Sequence, residues 1–314
     1  YNRHMERIEK QIQIDNLNKD DMVIDIETTG FSPKTEVITI LGYILYDGDW
    51  KAVQLFNHGD ERAVLEDFLK DLDGTKRIIS FNGDAFDIKF IKARAKSHGL
   101  IWPEDPLSLD LYAYIRTNKA YSPYPVVGQN RLEEIYGIHR ESDLDGRQAI
   151  SLYKRFLKTK EPAIKKDLVY YNFLDIYNLA QLFDIYVELE DIKGFEAMGQ
   201  NFSLEDLSIK KDRLTISLGF SQAPAYPVEK RSSNFKISWA KDLLIMADLT
   251  RGSLDQGGEA LAFDASALDL VDQSPSRLLP PYVLIKSGSY QVSNLKILAQ
   301  AIVEDAGNLM VFPK

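Results

Sequence analysis

Residues 22–30 read MVIDIETTG, an apolar run carrying two acids and closed by a turn. Met22 to Ile26 suits a buried strand, and Thr28-Thr29-Gly30 suits the turn that ends it. Alternation along such a strand puts Asp25 and Glu27 on one face, about 7 Å apart, so that both reach one site. A bare D-x-E arises about once by chance in a chain of this size. Inside an apolar run it is rarer, because a buried carboxylate needs a partner. Hard divalent cations such as Mg²⁺ are suitable partners, since they take oxygen ligands and keep positions open for water and phosphate. Two such ions about 4 Å apart stabilise both the attacking and the leaving oxygen of a phosphodiester cleavage.

Two further stretches extend the pattern. Residues 77–81 (RIISF) read as a strand, and Asn82-Gly83 turns it into a helix that carries Phe86, Ile88, Phe90 and Ile91. There Asp84 suits an N-terminal cap or first-turn acid. Asp87, one turn further in, is not explained by capping. Downstream, residues 171–175 (YNFLD) lie in a strongly helical stretch, where Tyr171 and Asp175, four apart, share one face. A tyrosine is a poor base at neutral pH but can hold a water by hydrogen bonding. The adjacent Tyr170 has the wrong spacing to Asp175.

The order D-x-E, N-x3-F-D and Y-x3-D resembles the DEDDy branch of the ribonuclease H-like 3′→5′ exonucleases, and within it the bacterial YprB-type group. The resemblance covers about residues 20–190. It implies that Asp25, Glu27, Asp87 and Asp175 bind two divalent cations, Mg²⁺ or Mn²⁺, and that Tyr171 orients the attacking water. No histidine stands at the Tyr171 position, which favours this branch over the histidine one. By similarity Thr28 and Thr29 touch the terminal nucleotide, Asn82 helps position the strand, and the partner is nucleic acid with a single-stranded 3′ end. The rival readings are an inactive nucleic-acid-binding or scaffolding protein of the same fold and a structure-specific endonuclease.

The rest of the chain is read around these motifs. Val37–Tyr46 and Ala52–Phe56 supply two strands of an antiparallel meander, Arg62–Leu72 an amphipathic helix, and Leu107–Leu111 a short strand. Residues 131–190 are helical, with breaks near Gly137–Gly146 and at Pro162. The expected fold is α/β: a ribonuclease H-like mixed sheet flanked by helices over residues 1–195. Asp191–Ser203 marks a change of character, and residues 200–314 read as a smaller accessory α+β domain. Its strands are signalled by alternation at Leu214–Phe220 and Phe235–Trp239, and by Leu243–Leu249 facing Ala260–Phe263 across a glycine-rich turn. Ser293–Ala306 has helical spacing.

Composition bounds the function. The 314 residues contain no cysteine, which removes disulfides and thiolate metal sites, and the four histidines (His4, His58, His98, His139) are scattered. A net charge of −9 argues against coating nucleic acid by long-range attraction. Basic residues cluster only locally, at Lys89, Lys92, Arg94 and Lys96 and at Lys154, Arg155, Lys158, Lys165 and Lys166. Such runs are read as solvated helix faces, leaving short-range contact with a strand end. No apolar run approaches the roughly 20 residues of a membrane span. The opening YNRHMERIEKQ lacks the apolar core of a signal peptide, so a cytoplasmic location is expected, while the start at Tyr1 leaves residues upstream open. Softer candidates for base stacking are Tyr121 and Tyr124, and, in the second domain, Tyr226 with Lys230 and Arg231. Asp110, Asp143 and Asp145 are read as structural.

Overall fold

A computed structural model describes residues 5–103, 106–142, 144–255 and 257–307, so His4 and Asp143 lie outside the described residues. The chain divides into two compact units. One comprises Tyr1–Arg116 with Tyr124–Tyr186, the other Thr117–Pro123 with Val187–Lys314.

The first unit is built on a six-stranded sheet. Its strands are β1 (Met5–Gln11), β2 (Asp21–Thr28), β3 (Ile38–Asp47), β4 (Asp49–Asn57), β5 (Arg77–Ser80) and β6 (Leu107–Asp110), in the order β1-β4-β3-β2-β5-β6. The first four pair antiparallel and the β2–β5 and β5–β6 pairs are parallel, making the sheet mixed. The meander β2–β4 falls where alternation placed it. Edge strand β1 does not announce itself, because MERIEKQ buries none of its residues fully. It is held by pairing with β4 and by Arg7, whose guanidinium joins Asp67 (2.8 Å) and Asp71 (2.7 Å).

Helices cover both faces of this sheet. Helix α1 (Glu61–Leu72) starts at Asp60, whose carboxylate accepts from the Ala63 amide and satisfies one of the free N-terminal donors. With α2 (Asp87–Ser97) it packs Val64, Leu65, Phe68, Phe90 and Ile91 on Ile24, Ile26, Leu41 and Leu55. The opposite face carries α5 (Gly146–Thr159) and α6 (Pro162–Leu182), which bury Tyr153, Phe156, Leu168 and Tyr171 on Ile40 and Phe56; α3 (Leu111–Thr117) and α4 (Gln129–Tyr136) connect β6 to α5. A capping box between Asp145 and Gln148 opens α5, and Pro162 in the first turn opens α6. The strands alternate between the two cores, so Asp25 and Glu27, out of phase with Ile24 and Ile26, face α6.

Helix α7 (Asp184–Lys193) leads into the second unit. Its nine-stranded sheet comprises β7 (Gly194–Ala197), β8 (Gln200–Lys210), β9 (Arg213–Phe220), β10 (Val228–Arg231), β11 (Phe235–Trp239), β12 (Leu243–Ser253), β13 (Glu259–Asp264), β14 (Tyr282–Ser287) and β15 (Ser289–Tyr290). Every pairing is antiparallel. Helix α8 (Val292–Gly307) buries Leu295, Leu298, Ile302 and Val303 with Trp239 and Phe263. Gly194 opens β7, and Met198 and Gly199, both at positive φ, turn it into β8, so the change of character over 191–203 is the passage from the end of α7 into the sheet. Tyr121, read as a base-stacking candidate, is 5% exposed in this unit's core. No helix among the described residues is long and apolar enough to cross a membrane.

Candidate metal centre

The site forms at the carboxyl end of β2. The β2–β5 ladder runs only from Asp21/Arg77 to Val23/Ile79, so the Ile26 amide beyond it lacks a partner strand on that side. Asp87, the first residue of α2, supplies the acceptor: its Oδ1 takes the Ile26 N–H at 3.1 Å. Open space beyond the carboxyl ends of diverging strands is where sheets of this kind bind ligands. From the other face α6 brings Tyr171, Asn172 and Asp175. Carboxylate oxygens of Asp25, Glu27 and Asp175 lie within 4.8 Å of one another. Asp87 stands outside that triplet, tied to the strand backbone.

The helix start corrects one expectation. Asp84 does not cap α2; it sits in the turn before it, where its Oδ1 accepts from Ser108 Oγ and its amide donates to Asp110 Oδ2. Asp110 also takes the Asn82 amide (2.8 Å) and the Ala113 amide (3.1 Å), pinning the loop that aims Asp87. Asn82 turns the chain there at φ 64°, a left-handed conformation that asparagine tolerates.

Asn172, buried in the same helix, explains how α6 reaches the strand. Its Nδ2 donates to Asp25 Oδ2 (3.0 Å), and its Oδ1 accepts from Gln54 Nε2 (3.1 Å), which also donates to the Val169 carbonyl. Gly42, opposite Asp25 on β3, leaves the room. A Cβ there would overlap Asn172 Oδ1 and come within 2.9 Å of its Cγ. Gly42→Ala should therefore lower stability by about 1–3 kcal/mol and displace the amide that holds Asp25. Chemical denaturation checks it: a loss under about 0.5 kcal/mol, the range of a neutral surface change, would mean that α6 stands off β3.

The electrostatics are those of crowded acids. Desolvation, then the neighbouring Asp175 and Asp87, hold Asp25 and Glu27 well above the usual carboxylate range. Burial pushes Asp87 up to about 7 and Asp175 up to about 6, the latter against the pull of Arg140. Burial, reinforced by Asp175, also raises the Tyr171 phenol, which therefore stays protonated at neutral pH. Carboxylates that resist ionising beside one another, all offering oxygen, are a donor set suited to hard divalent cations. The residues present fit such an ion.

Other candidates are placed differently. Thr28 Oγ1 donates to the Gly30 carbonyl, and Thr29 Oγ1 donates to Glu36 Oε2 and accepts the Val37 amide, so both hydroxyls shape the loop after β2. Tyr170 points elsewhere, donating to Glu141. In the basic runs, Arg94 is engaged by Glu61, Lys165 by Glu6 and Arg155 by Glu161. In the second unit Lys230 is bound to Asp305, while Tyr226 is exposed. Sequence reading missed Asn172, Arg140 and Glu133. For Asn172 a signal existed: Asn172, Asp175 and Asn178 recur every three residues in residues 168–180 of α6, which are otherwise aliphatic or aromatic. It also missed Phe31, 83% exposed on the loop after β2, its ring 6.1 Å from that of Phe86 beside Asp87.

A profile of the RNase_H superfamily matches residues 22–187, just over half of the chain and spanning all three acidic motifs. The chain belongs to the RNase_H superfamily. It is similar to the uncharacterized protein YprB of Bacillus subtilis, 30% identical over 177 residues that make up 53% of this chain and 42% of that one. It is also similar to the catalytic subunit of DNA polymerase epsilon from Dictyostelium discoideum, 34% identical over 86 residues, covering 27% of this chain and 3% of that one. The chain thus spans less than half the length of these curated relatives. Among solved structures, the family B DNA polymerase of Pyrobaculum calidifontis matches 68% of this chain and 33% of its own, with 15% identity and a TM-score of 0.42. The superfamily match ends within α7, so the nine-stranded sheet lies outside it.

Proposed function

We propose that the chain is a metal-dependent 3′→5′ exonuclease acting on a single-stranded 3′ end. The observation that carries this reading is the convergence of Asp25, Glu27 and Asp175 within 4.8 Å, with Tyr171 one helical turn before Asp175. Asp25, Glu27, Asp87 and Asp175 would hold two Mg²⁺ or Mn²⁺ ions. Such ions, when bound, acidify a water and stabilise the attacking and leaving oxygens of the phosphodiester. The protonated Tyr171 hydroxyl orients that water by hydrogen bonding and takes no proton from it. Asn172 fixes the rotamer of Asp25, and the Ile26 amide fixes that of Asp87. Phe31, exposed and packed on Phe86 next to Asp87 in the chain, offers a ring on which a terminal base can stack, an interaction worth roughly 1–3 kcal/mol.

Degradation of 5′-labelled single-stranded DNA and RNA tests the proposal. A ladder shortening from the 3′ end in Mn²⁺, abolished by EDTA and by a blocked 3′ end, is the expected result. Internal cuts in the blocked substrate would reassign the chain as an endonuclease. Strands that are bound but uncut would make it a binding protein.

A further inference from the structure

Arg140 enters the acidic cluster from the loop between α4 and α5. Its side chain is 9% exposed. Its Nη2 donates to Asp175 Oδ1 at 2.6 Å and to Glu133 Oε1 at 2.9 Å, and its Nε donates to Glu133 Oε2 at 3.0 Å. The guanidinium carbon lies 5.6 Å from the centroid of the Tyr171 ring. Glu133, 1% exposed, is held in turn by Gln129 Nε2 (3.0 Å) and Asn178 Nδ2 (3.1 Å). Arg140 Nη1 is buried without a hydrogen-bond partner among the described residues, so burial of this guanidinium is only partly compensated there.

A purely structural ion pair would need only Glu133. The contact with Asp175 is of another kind, because it places a permanent positive charge on one of the three acids that converge. We propose that Arg140 is a positioning residue that acts as the counter-cation of the metal-free site. It holds Asp175 and the Tyr171 ring in place while the carboxylates carry no ion, and its charge opposes metal loading. The inference rests on the two-metal reading of the cluster. Removing the charge should then weaken the empty site and strengthen metal binding, opposite in sign to the loss of a ligand.

The test is Mn²⁺ binding to the full chain, followed by the free-ion EPR signal, together with thermal unfolding in EDTA and in saturating Mn²⁺. Arg140→Met should bind Mn²⁺ about tenfold more tightly, the effect of removing one elementary charge that rests on a would-be ligand carboxylate. It should melt lower than wild type in EDTA, with the gap closing in Mn²⁺. Arg140→Lys, which keeps the charge, should stay within about twofold of wild-type affinity. The double variant Arg140→Met/Glu133→Gln leaves no charge on residue 133 to be stranded, so it keeps the test open if the single variant fails to fold. Mn²⁺ affinity in the double variant equal to or weaker than in Glu133→Gln alone, the comparison in which only the Arg140 charge differs, would overturn the counter-cation role and leave the metal site standing. A wild-type chain that binds no Mn²⁺ would overturn the metal reading and this inference with it.

Discussion

Asp25→Asn should cut turnover at least about a thousandfold, equivalent to roughly 4 kcal/mol of transition-state stabilisation and within what a metal ligand supplies. The same substitution should leave the fold intact and raise its melting temperature in EDTA. Asparagine has the shape of aspartate, and its Oδ1 can still accept the hydrogen bond that Asn172 gives to Asp25. What is lost is one negative charge from a cluster in which desolvation and the neighbouring acids already oppose ionisation of Asp25. When Asp25 ionises in the wild-type chain, it carries that charge without an ion to balance it. Relief of this repulsion should stabilise the metal-free variant. Single-turnover cleavage and thermal unfolding on one preparation separate the two effects. Activity within tenfold of wild type would remove Asp25 from the mechanism, and a marked drop in melting temperature would make it a structural acid.

The acids are legible in the sequence and their supports are not, for a physical reason. Asp25 and Glu27 announce themselves because alternation on β2 is a period-two signal contained in three residues. Tyr171 and Asp175 do so because one turn of helix brings them together. Gly42, Gln54 and Asn172 act through contacts more than a hundred residues apart in sequence, where no local period exists. Arg140 reaches Asp175 across 35 residues from a loop without regular spacing. In the turn 82–86, local signals start the helix one step early. Asp84 looks like a cap, but the tertiary acceptor Asp110 takes its amide and the helix begins at Asp87. Strand β1 and the β7–β8 hairpin are hidden for a related reason: edge strands are half-solvated, and their polar sequences carry little of the alternation that burial imposes.

The metal-free protein should lose stability as pH rises from about 5 to about 8, the reverse of what surface carboxylates alone produce. The paired acids Glu6, Asp47 and Glu61 lie below their ordinary values, so the stability they add is fully present by about pH 5. Asp87 and Asp175 behave oppositely. Their folded values, about 7 and about 6, exceed the ordinary 3.8, so the folded chain binds these protons more tightly than the unfolded one. The stability they contribute is complete below about pH 4 and is lost as pH rises through 6 and 7. Raising a pKa by one corresponds to about 1.4 kcal/mol, so the decline should be on the order of several kcal/mol. Saturating Mn²⁺ should reverse the slope, because the ion binds the deprotonated ligands and competes with their protons. Melting temperatures at pH 5, 6, 7 and 8, in EDTA and in Mn²⁺, measure both slopes. Asp87→Asn separates the site from surface pairs such as His58–Glu6, and should flatten the EDTA profile while leaving those pairs untouched. A flat wild-type profile in EDTA would mean that the carboxylates do not crowd one another. The case for a cluster built to be neutralised by metal would then fail on thermodynamic grounds, whatever the cleavage assay showed.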